Sequence, residues 1–182
     1  MHFLLTCNSW LESVIKKEIQ NLGYTITNVS DKLVYFTGDE SAIARVNLWS
    51  RAGNKLYILL GKWFAWDFET LFEQISSINR KDYIWDGQWI NVLAHTIKSQ
   101  LTSTPAIQSI VKKAIIKKLL GWENWFWNEN RDINPLEVLV AIEWDEAHVL
   151  FNTTGKSLHQ RWYRTHTYEA PIKENLAAGI IS

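Results

Sequence analysis

Cysteine is almost absent from this 182-residue chain. Its single example, Cys7, excludes an internal disulfide and a cysteine-built metal cluster. The histidines, at 2, 95, 148, 159 and 166, are scattered, with no pair at metal-ligand spacing. No early stretch joins a basic region to a continuous apolar run, so no secretory signal is expected. No run of about twenty apolar residues suggests a membrane span, and the cytoplasm is the default location. Glycine-rich loops are missing as well. Gly61, Gly87, Gly121 and Gly155 stand far apart and form no phosphate-cradling nest. No nucleophile–base pair and no paired carboxylates stand out, and Glu12, Glu174 and Asp132 read as cap, linker and loop residues. No catalytic, cofactor-binding or metal-ligating residue is therefore expected within the chain. An excess of one charge is also lacking: nineteen basic residues balance nineteen acidic ones. Any surface for nucleic acid must therefore be local.

What is present is a globular composition, 47% hydrophobic and 21% charged, long enough for one domain or two small ones. The eleven tryptophans are expected mostly to fill core and domain contacts. Charge is segregated in one stretch. From Lys98 to Trp122 there are five lysines (98, 112, 113, 117, 118) and no Asp or Glu. Ser103, Thr104 and Pro105 supply a helix start, the hydroxyls as caps and the proline in the first turn. Ile107, Ile110, Val111, Ala114, Ile115 and Leu119 then repeat at the spacing of a buried helical stripe. Lys112, Lys113 and Lys117 fall off that stripe, whereas Lys118 points back toward it. Gly121 is placed to stop the helix. The expectation is a helix with one face in a core and a basic face outside, led in by a hydroxyl-rich loop.

Before this stretch, periodicity predicts a strand from His2 to Cys7 and a helix capped by Ser9 with Glu12 three residues on. A hairpin follows over 24–37, with its break at Asp31-Lys32. A second helix carries Ala42, Ile43, Val46 and Leu48 inward, and a strand runs from Lys55 to Trp63. Strand, helix, strand, strand, helix, strand is the order of a ferredoxin-like unit. A second unit continues with a helix opened by Asp67, an irregular connection over 82–87, a strand over 89–97 and the basic helix. Residues 122–134 form an aromatic, acidic loop, and strands over 136–144 and 148–153 flank a turn at Asp145-Glu146. Ser157 to Thr165 is a candidate edge strand. Pro171 to Ser182 starts an amphipathic helix through Ile172, Leu176, Ala177 and Ile180; a helix cut off in mid-pattern suggests a fragment of a longer protein.

Several segments together resemble a known family. They are Cys7-Asn8-Ser9-Trp10-Leu11-Glu12, Phe36-Thr37-Gly38, Asn47 to Arg51, Ser99 to Gln108 with Val111 to Ile115, Thr154 to Arg164, and Ala170 to Ala178. In this order and spacing they resemble, along nearly the whole chain, the N-terminal region of bacterial 23S ribosomal RNA guanine-N2 methyltransferases, which are class I RNA methyltransferases carrying a THUMP domain. The chain departs from the family pattern at Trp10 and Trp162, where the family usually has glycine, and at Asn152, where it often has Asp.

The resemblance implies an α+β chain. A ferredoxin-like domain over 1–64 would be followed by a THUMP RNA-binding domain over 65–166. Residues 167–182 would begin a linker helix to a Rossmann-like, S-adenosylmethionine-binding domain outside this chain. No Asn-Pro-Pro-Tyr or Asp-Pro-Pro-Tyr motif is present to place a target amine, so this chain is expected to bind RNA without catalysing. Lys98, Lys112, Lys113 and Lys117 would contact phosphates, with Arg161 and Arg164 extending the patch. Ser99, Thr102 and Ser103 would donate to phosphates or 2′-hydroxyls, and the helix start near Thr104 would hold a further phosphate. The expected partners are structured RNA, above all 23S ribosomal RNA, and the chain's own methyltransferase domain. A transfer-RNA methyltransferase or thiouridine synthetase is the alternative setting, and a scaffold without nucleic acid the remaining one.

Overall fold

The chain opens with an apolar strand, because Phe3, Leu4 and Leu5 are all buried. In the computed structural model, residues 1–78, 88–120, 130, 132, 134–160 and 172–182 are described. Packing divides the chain into two compact units, one made of 1–58 with 153–182 and the other of 59–152.

The first unit runs β1 (His2–Thr6), α1 (Glu12–Asn21), β2 (Thr25–Ser30), β3 (Leu33–Thr37), α2 (Ser41–Trp49) and the start of β4 (Leu56–Phe64). Its strands are ordered β2-β3-β1-β4, with β3 and β4 both antiparallel to β1. This is the ferredoxin-like order that the hydrophobic periodicity predicts. Phe3 sits opposite Phe36 in register, and their rings stack at 5.2 Å. Ile15 and Ile19 from α1 and Ala42 and Val46 from α2 are fully buried in this unit. Leu48, expected inside, is exposed. It lies two residues past Val46, about 200° round the helix from the buried face.

Two local expectations are corrected. Helix α1 starts at Glu12 with Leu11 at its cap and no side-chain capping bond. Glu12 is drawn away from any capping box because its carboxylate accepts the Lys32 N–H at 2.9 Å. Ser157 to Gln160 forms a turn, not an edge strand, with the Leu158 N–H given to the Asn54 carbonyl at 2.7 Å; residues 161–165 lie outside the described residues. Trp10, in contrast, adopts φ 78° and is 91% exposed. This is the backbone conformation that makes a glycine preferred there.

The segment 153–182 is fastened to the first unit by polar bonds. The Thr153 hydroxyl donates to the Leu56 carbonyl at 3.0 Å, and the Thr154 hydroxyl donates to Asn47 Oδ1 at 2.7 Å while accepting the Leu56 N–H at 2.8 Å. Helix α5 (Glu174–Ile181) buries Asn175 completely, whereas Ile172 and Ile180, read as its apolar stripe, are exposed. The reason is a ring of three carboxamides. Asn175 Nδ2 donates to Asn54 Oδ1 at 2.6 Å, Asn54 Nδ2 donates to Asn8 Oδ1 at 3.3 Å, and Asn8 Nδ2 donates to Asn175 Oδ1 at 3.4 Å.

The second unit holds the rest of β4, α3 (Phe68–Ser77), β5 (Ile90–Ile97), α4 (Thr104–Leu120), β6 (Leu136–Glu143) and β7 (Glu146–Asn152). Its strand order is β4-β7-β6-β5. β5 and β6 are parallel, so the chain between them must cross over, and α4 is that crossover. Leu136, Val138, Val140 and Ile142 alternate into the core along β6. Asp67 caps α3 through the Thr70 N–H at 2.7 Å, as its sequence position predicts. Asn152 donates to the Glu137 carboxylate at 2.9 Å. An aspartate at 152 would set two carboxylates against each other.

Two outcomes are expected. Asn175→Ala leaves Asn54 Oδ1 and Asn8 Nδ2 without their ring partners and should lower stability by about 2–3 kcal/mol in urea unfolding. Burial, with the Glu12 and Asp31 carboxylates adding, pushes the Cys7 thiol up to about 12 from an ordinary 9.0. Between those values the unfolded chain gives up a proton that the folded chain keeps. Stability should therefore fall above pH 9, by up to about 1.4 kcal/mol per pH unit, and Cys7→Ala should remove this slope in denaturation curves collected across that range.

Candidate nucleic-acid interface

Helix α4 forms where the periodicity places it. Ile107, Val111 and Ala114 are fully buried one turn apart, and the helix packs on α3 and β5. Its first turn has no acidic residue, and the Ser103 carbonyl accepts the Ile107 N–H at 3.0 Å.

The lead-in loop is held at both ends. Lys98 leaves β5 with φ 49°. The Gln100 N–H donates to Asp145 Oδ1 at 2.7 Å, the Trp144 N–H donates to the Ile97 carbonyl at 3.1 Å, and Leu101 is buried as a plug. Thr102 and Ser103 remain exposed and Thr104 half-buried. Ser99 differs from the role expected of it, since its hydroxyl oxygen is buried and has no hydrogen-bond partner among the described residues.

The lysines are placed unequally. Lys113 is exposed on α4, while Lys112, Lys117 and Lys118 are half-buried. The Lys117 ammonium lies 4.6 Å over the Phe72 ring of α3, and the Lys98 ammonium lies 4.5 Å over the Trp144 ring. Lys98 and the hydroxyl loop thus gather beside the helix start, and Lys113 stands further along α4. Arg161 and Arg164 lie outside the described residues, as does nearly all of the aromatic loop over 122–134.

Sequence reasoning missed the aromatic side of this corner. The β6–β7 turn is built on Trp144 and Asp145, both at positive φ (54° and 63°), one residue before the expected position. Two consecutive positive φ values are what a two-residue hairpin requires. The Asp145 carbonyl also accepts the Ala65 N–H at 2.8 Å, which brings the end of β4 alongside. There Phe64 and Trp66 stack at 5.7 Å and 9°, both largely exposed. Beside them the Lys62 ammonium, 3.0 Å from Glu146, holds that carboxyl below its usual range. Among the six described tryptophans, Trp10, Trp49, Trp66 and Trp144 are exposed and so do not fill the core. The signal available in sequence was the hairpin spacing, which does not say that a turn residue will be a tryptophan.

Among the described residues, no three His, Cys, Asp or Glu side chains gather to hold a metal ion, and no helix is long and apolar enough to cross a membrane.

A four-stranded ferredoxin-like unit, continued by strands around a basic crossover helix, is the architecture of a ferredoxin-like and THUMP region. Residues 2–57 match the RlmL ferredoxin-like domain family. The chain is 35% identical over 181 residues to YpsC of Bacillus subtilis (strain 168), whose name marks it provisionally as an RNA methyltransferase, covering 98% of this chain and 46% of that protein. It is 30% identical over 179 residues to the ribosomal RNA large subunit methyltransferase K/L of Cellvibrio japonicus, covering 98% of this chain and 24% of that protein. Among solved structures, a Listeria monocytogenes protein called a predicted N6-adenine-specific DNA methylase superposes with TM-score 0.89 at 36% identity, covering 99% of this chain and 47% of that one. SMU.472, a methyltransferase by provisional name and solved with SAH, superposes with TM-score 0.82 at 37% identity, covering 99% of this chain and 48% of that one.

Residues 2–57 carry the RlmL ferredoxin-like domain, and the chain as a whole is similar to the ferredoxin-like and THUMP region of RNA methyltransferases. It spans about half the length of YpsC and about a quarter of the K/L protein. A Cβ on Gly53 would meet Ser50 and Leu5, one on Gly61 the Trp63 ring, and one on Gly179 Leu11, while Gly23 and Gly155 hold positive-φ turns. These glycines serve packing and turns.

Asp145→Ala should free the Gln100 N–H and lower the stability of the second unit by about 1 kcal/mol. Hydrogen exchange at the Gln100 amide should accelerate at least as much as the global unfolding rate requires; unchanged protection there would show that the loop is held by something else.

Proposed function

We propose that this chain is the RNA-gripping region of an S-adenosylmethionine-dependent methyltransferase that modifies guanine N2 of 23S ribosomal RNA in the cytoplasm, with the chemistry carried by a domain outside it. The THUMP part, drawn over 65–166, supplies the grip, and the ferredoxin-like part is a packing partner. The observation that carries this reading is the α4 corner: a helix start without acids, an exposed hydroxyl loop, and lysines at 98, 112, 113 and 117 in a chain of no net charge. The names of the ribosomal RNA and RNA methyltransferase relatives support the substrate class.

Such a surface reads shape. Phosphates take lysine ammonium groups and helix N–H groups, and 2′-hydroxyls in the wide minor groove take Thr102 and Ser103. With about four lysine–phosphate contacts, log K should fall against log salt with a slope of roughly −3. Lys113→Ala is the cleanest variant because that side chain is exposed. It should flatten the slope by about 1 and leave stability nearly unchanged. Adding Lys117→Ala should flatten it further, with a fold cost of about 0.5–1 kcal/mol for the lost contact with Phe72. Fluorescence anisotropy with a 23S fragment, accompanied by circular dichroism, measures both. A folded double variant with wild-type affinity and slope would overturn the proposal, and tighter binding to transfer RNA than to any ribosomal fragment would move the substrate to that class.

A further inference from the structure

The basic helix does not account for the aromatic corner next to it. Phe64 and Trp66 are 54% and 53% exposed, and Trp144 is 66% exposed. Scattered exposed aromatics are ordinary, but three at one corner of one sheet form a patch. Their positions are fixed relative to one another. Ala65, between Phe64 and Trp66, is fully buried and bonded to the Asp145 carbonyl, and Asp145 also holds Gln100 of the hydroxyl loop. Trp144 pays a conformational cost at φ 54° in a turn where glycine or asparagine is easier. Folding gains little in return from an indole this exposed. Trp10 shows that strain alone need not mark a site, but Trp144 differs in having a cation over its ring and hydroxyls nearby.

We infer that this corner, centred on Trp144 and the Phe64–Trp66 pair, is a stacking site for unpaired bases of RNA. The inference rests on the proposed RNA-binding function and refines its substrate to RNA with a single-stranded element. An aromatic face offers a base the same contact whatever its identity, whereas a base within a duplex has no free face to give. Lys98 occupies one face of the Trp144 indole and brings its charge to where the phosphate of a stacked nucleotide would lie. Thr102 and Ser103 add exposed hydroxyl donors on the same loop. Most of the negative groups at the corner are engaged: Asp145 accepts the Gln100 N–H, Asp67 accepts the Thr70 N–H, and Glu146 is paired with Lys62 and also approached by His148 at 3.4 Å, while Glu143 next to Trp144 is exposed. Lys98 is the cation lying over the Trp144 ring. A membrane surface would call for aliphatic side chains and several unpaired lysines around the rings, whereas this corner pairs Lys62 with Glu146 and adds the carboxylates of Asp67, Glu143 and Asp145.

The test uses the full 182-residue chain and two RNAs measured by anisotropy. One is a fully paired duplex; the other is the same duplex interrupted by an internal loop of unpaired adenines. The wild-type chain should prefer the looped RNA by about tenfold or more, as stacking of one base requires. Trp144→Leu, which keeps an apolar side chain, and Trp66→Ala should each remove most of that preference while leaving duplex affinity and its salt slope intact. Trp144→Phe should retain most of it, which separates loss of an aromatic face from loss of the turn. Lys113→Ala should weaken both RNAs alike. Equal binding of the two RNAs by the wild-type chain, or a preference untouched by Trp144→Leu and Trp66→Ala, overturns the stacking site while leaving the RNA-binding reading in place. Binding of neither RNA fails that reading itself.

Discussion

Three asparagine carboxamides, each donating to the next, are the constraint on which the first unit depends. A buried amide is costly unless its donors and acceptors are met, and here each of Asn8, Asn54 and Asn175 meets the needs of the other two. The ring ties the exit of β1, the entry of β4 and the helix α5 at one point. It also explains why α5 presents its only buried side chain as a polar one. An apolar residue at 175 would suit the pattern of the helix and leave two amides half satisfied, which is worse than an apolar site throughout.

The second unit is governed by a backbone constraint of similar rigour. Parallel β5 and β6 oblige the chain to cross over, the crossover is α4, and the buried stripe of Ile107, Val111 and Ala114 fixes which side of that helix is left for lysines. Asp145 then serves three elements. Its carbonyl holds the end of β4, its carboxylate holds the loop before α4, and its own positive φ makes the β6–β7 turn. A surface built on such fixed points does not need to be ordered by its ligand, so less of the contact energy is consumed in ordering it.

Most elements were legible in the sequence because burial follows period: the ferredoxin-like order, the Asp67 cap and the α4 stripe all come directly from residue spacing. Three kinds of feature were not. Ser9 and Glu12 have the spacing of a capping box, but a more distant N–H at Lys32 competes for the carboxylate and wins. The return of the segment from 153 onward to the first compact unit rests on long-range hydrogen bonds, such as Thr154 to Asn47, that residue spacing does not reveal. The aromatic corner was hidden because eleven tryptophans look alike in one dimension; that Trp66 and Trp144 face outward depends on a hydrogen bond between residues 65 and 145. The lysine run was visible as charge, yet only the packed structure separates Lys113, out in solvent, from Lys117 lying on Phe72.

That return has a consequence for biosynthesis. The ribosome delivers Asn8 and Asn54 early, but their partner Asn175 lies 121 residues beyond Asn54. A nascent chain that has emerged only as far as β4 has its four strands and two helices but an open amide pair where the ring should close. All of the second unit must be translated before α5 can dock. At about 5–20 residues per second the wait is on the order of ten seconds, long compared with the formation of helices and hairpins. During that interval the ferredoxin-like unit lacks its α5 partner, and the amides of Asn8 and Asn54 can only turn to water until Asn175 arrives.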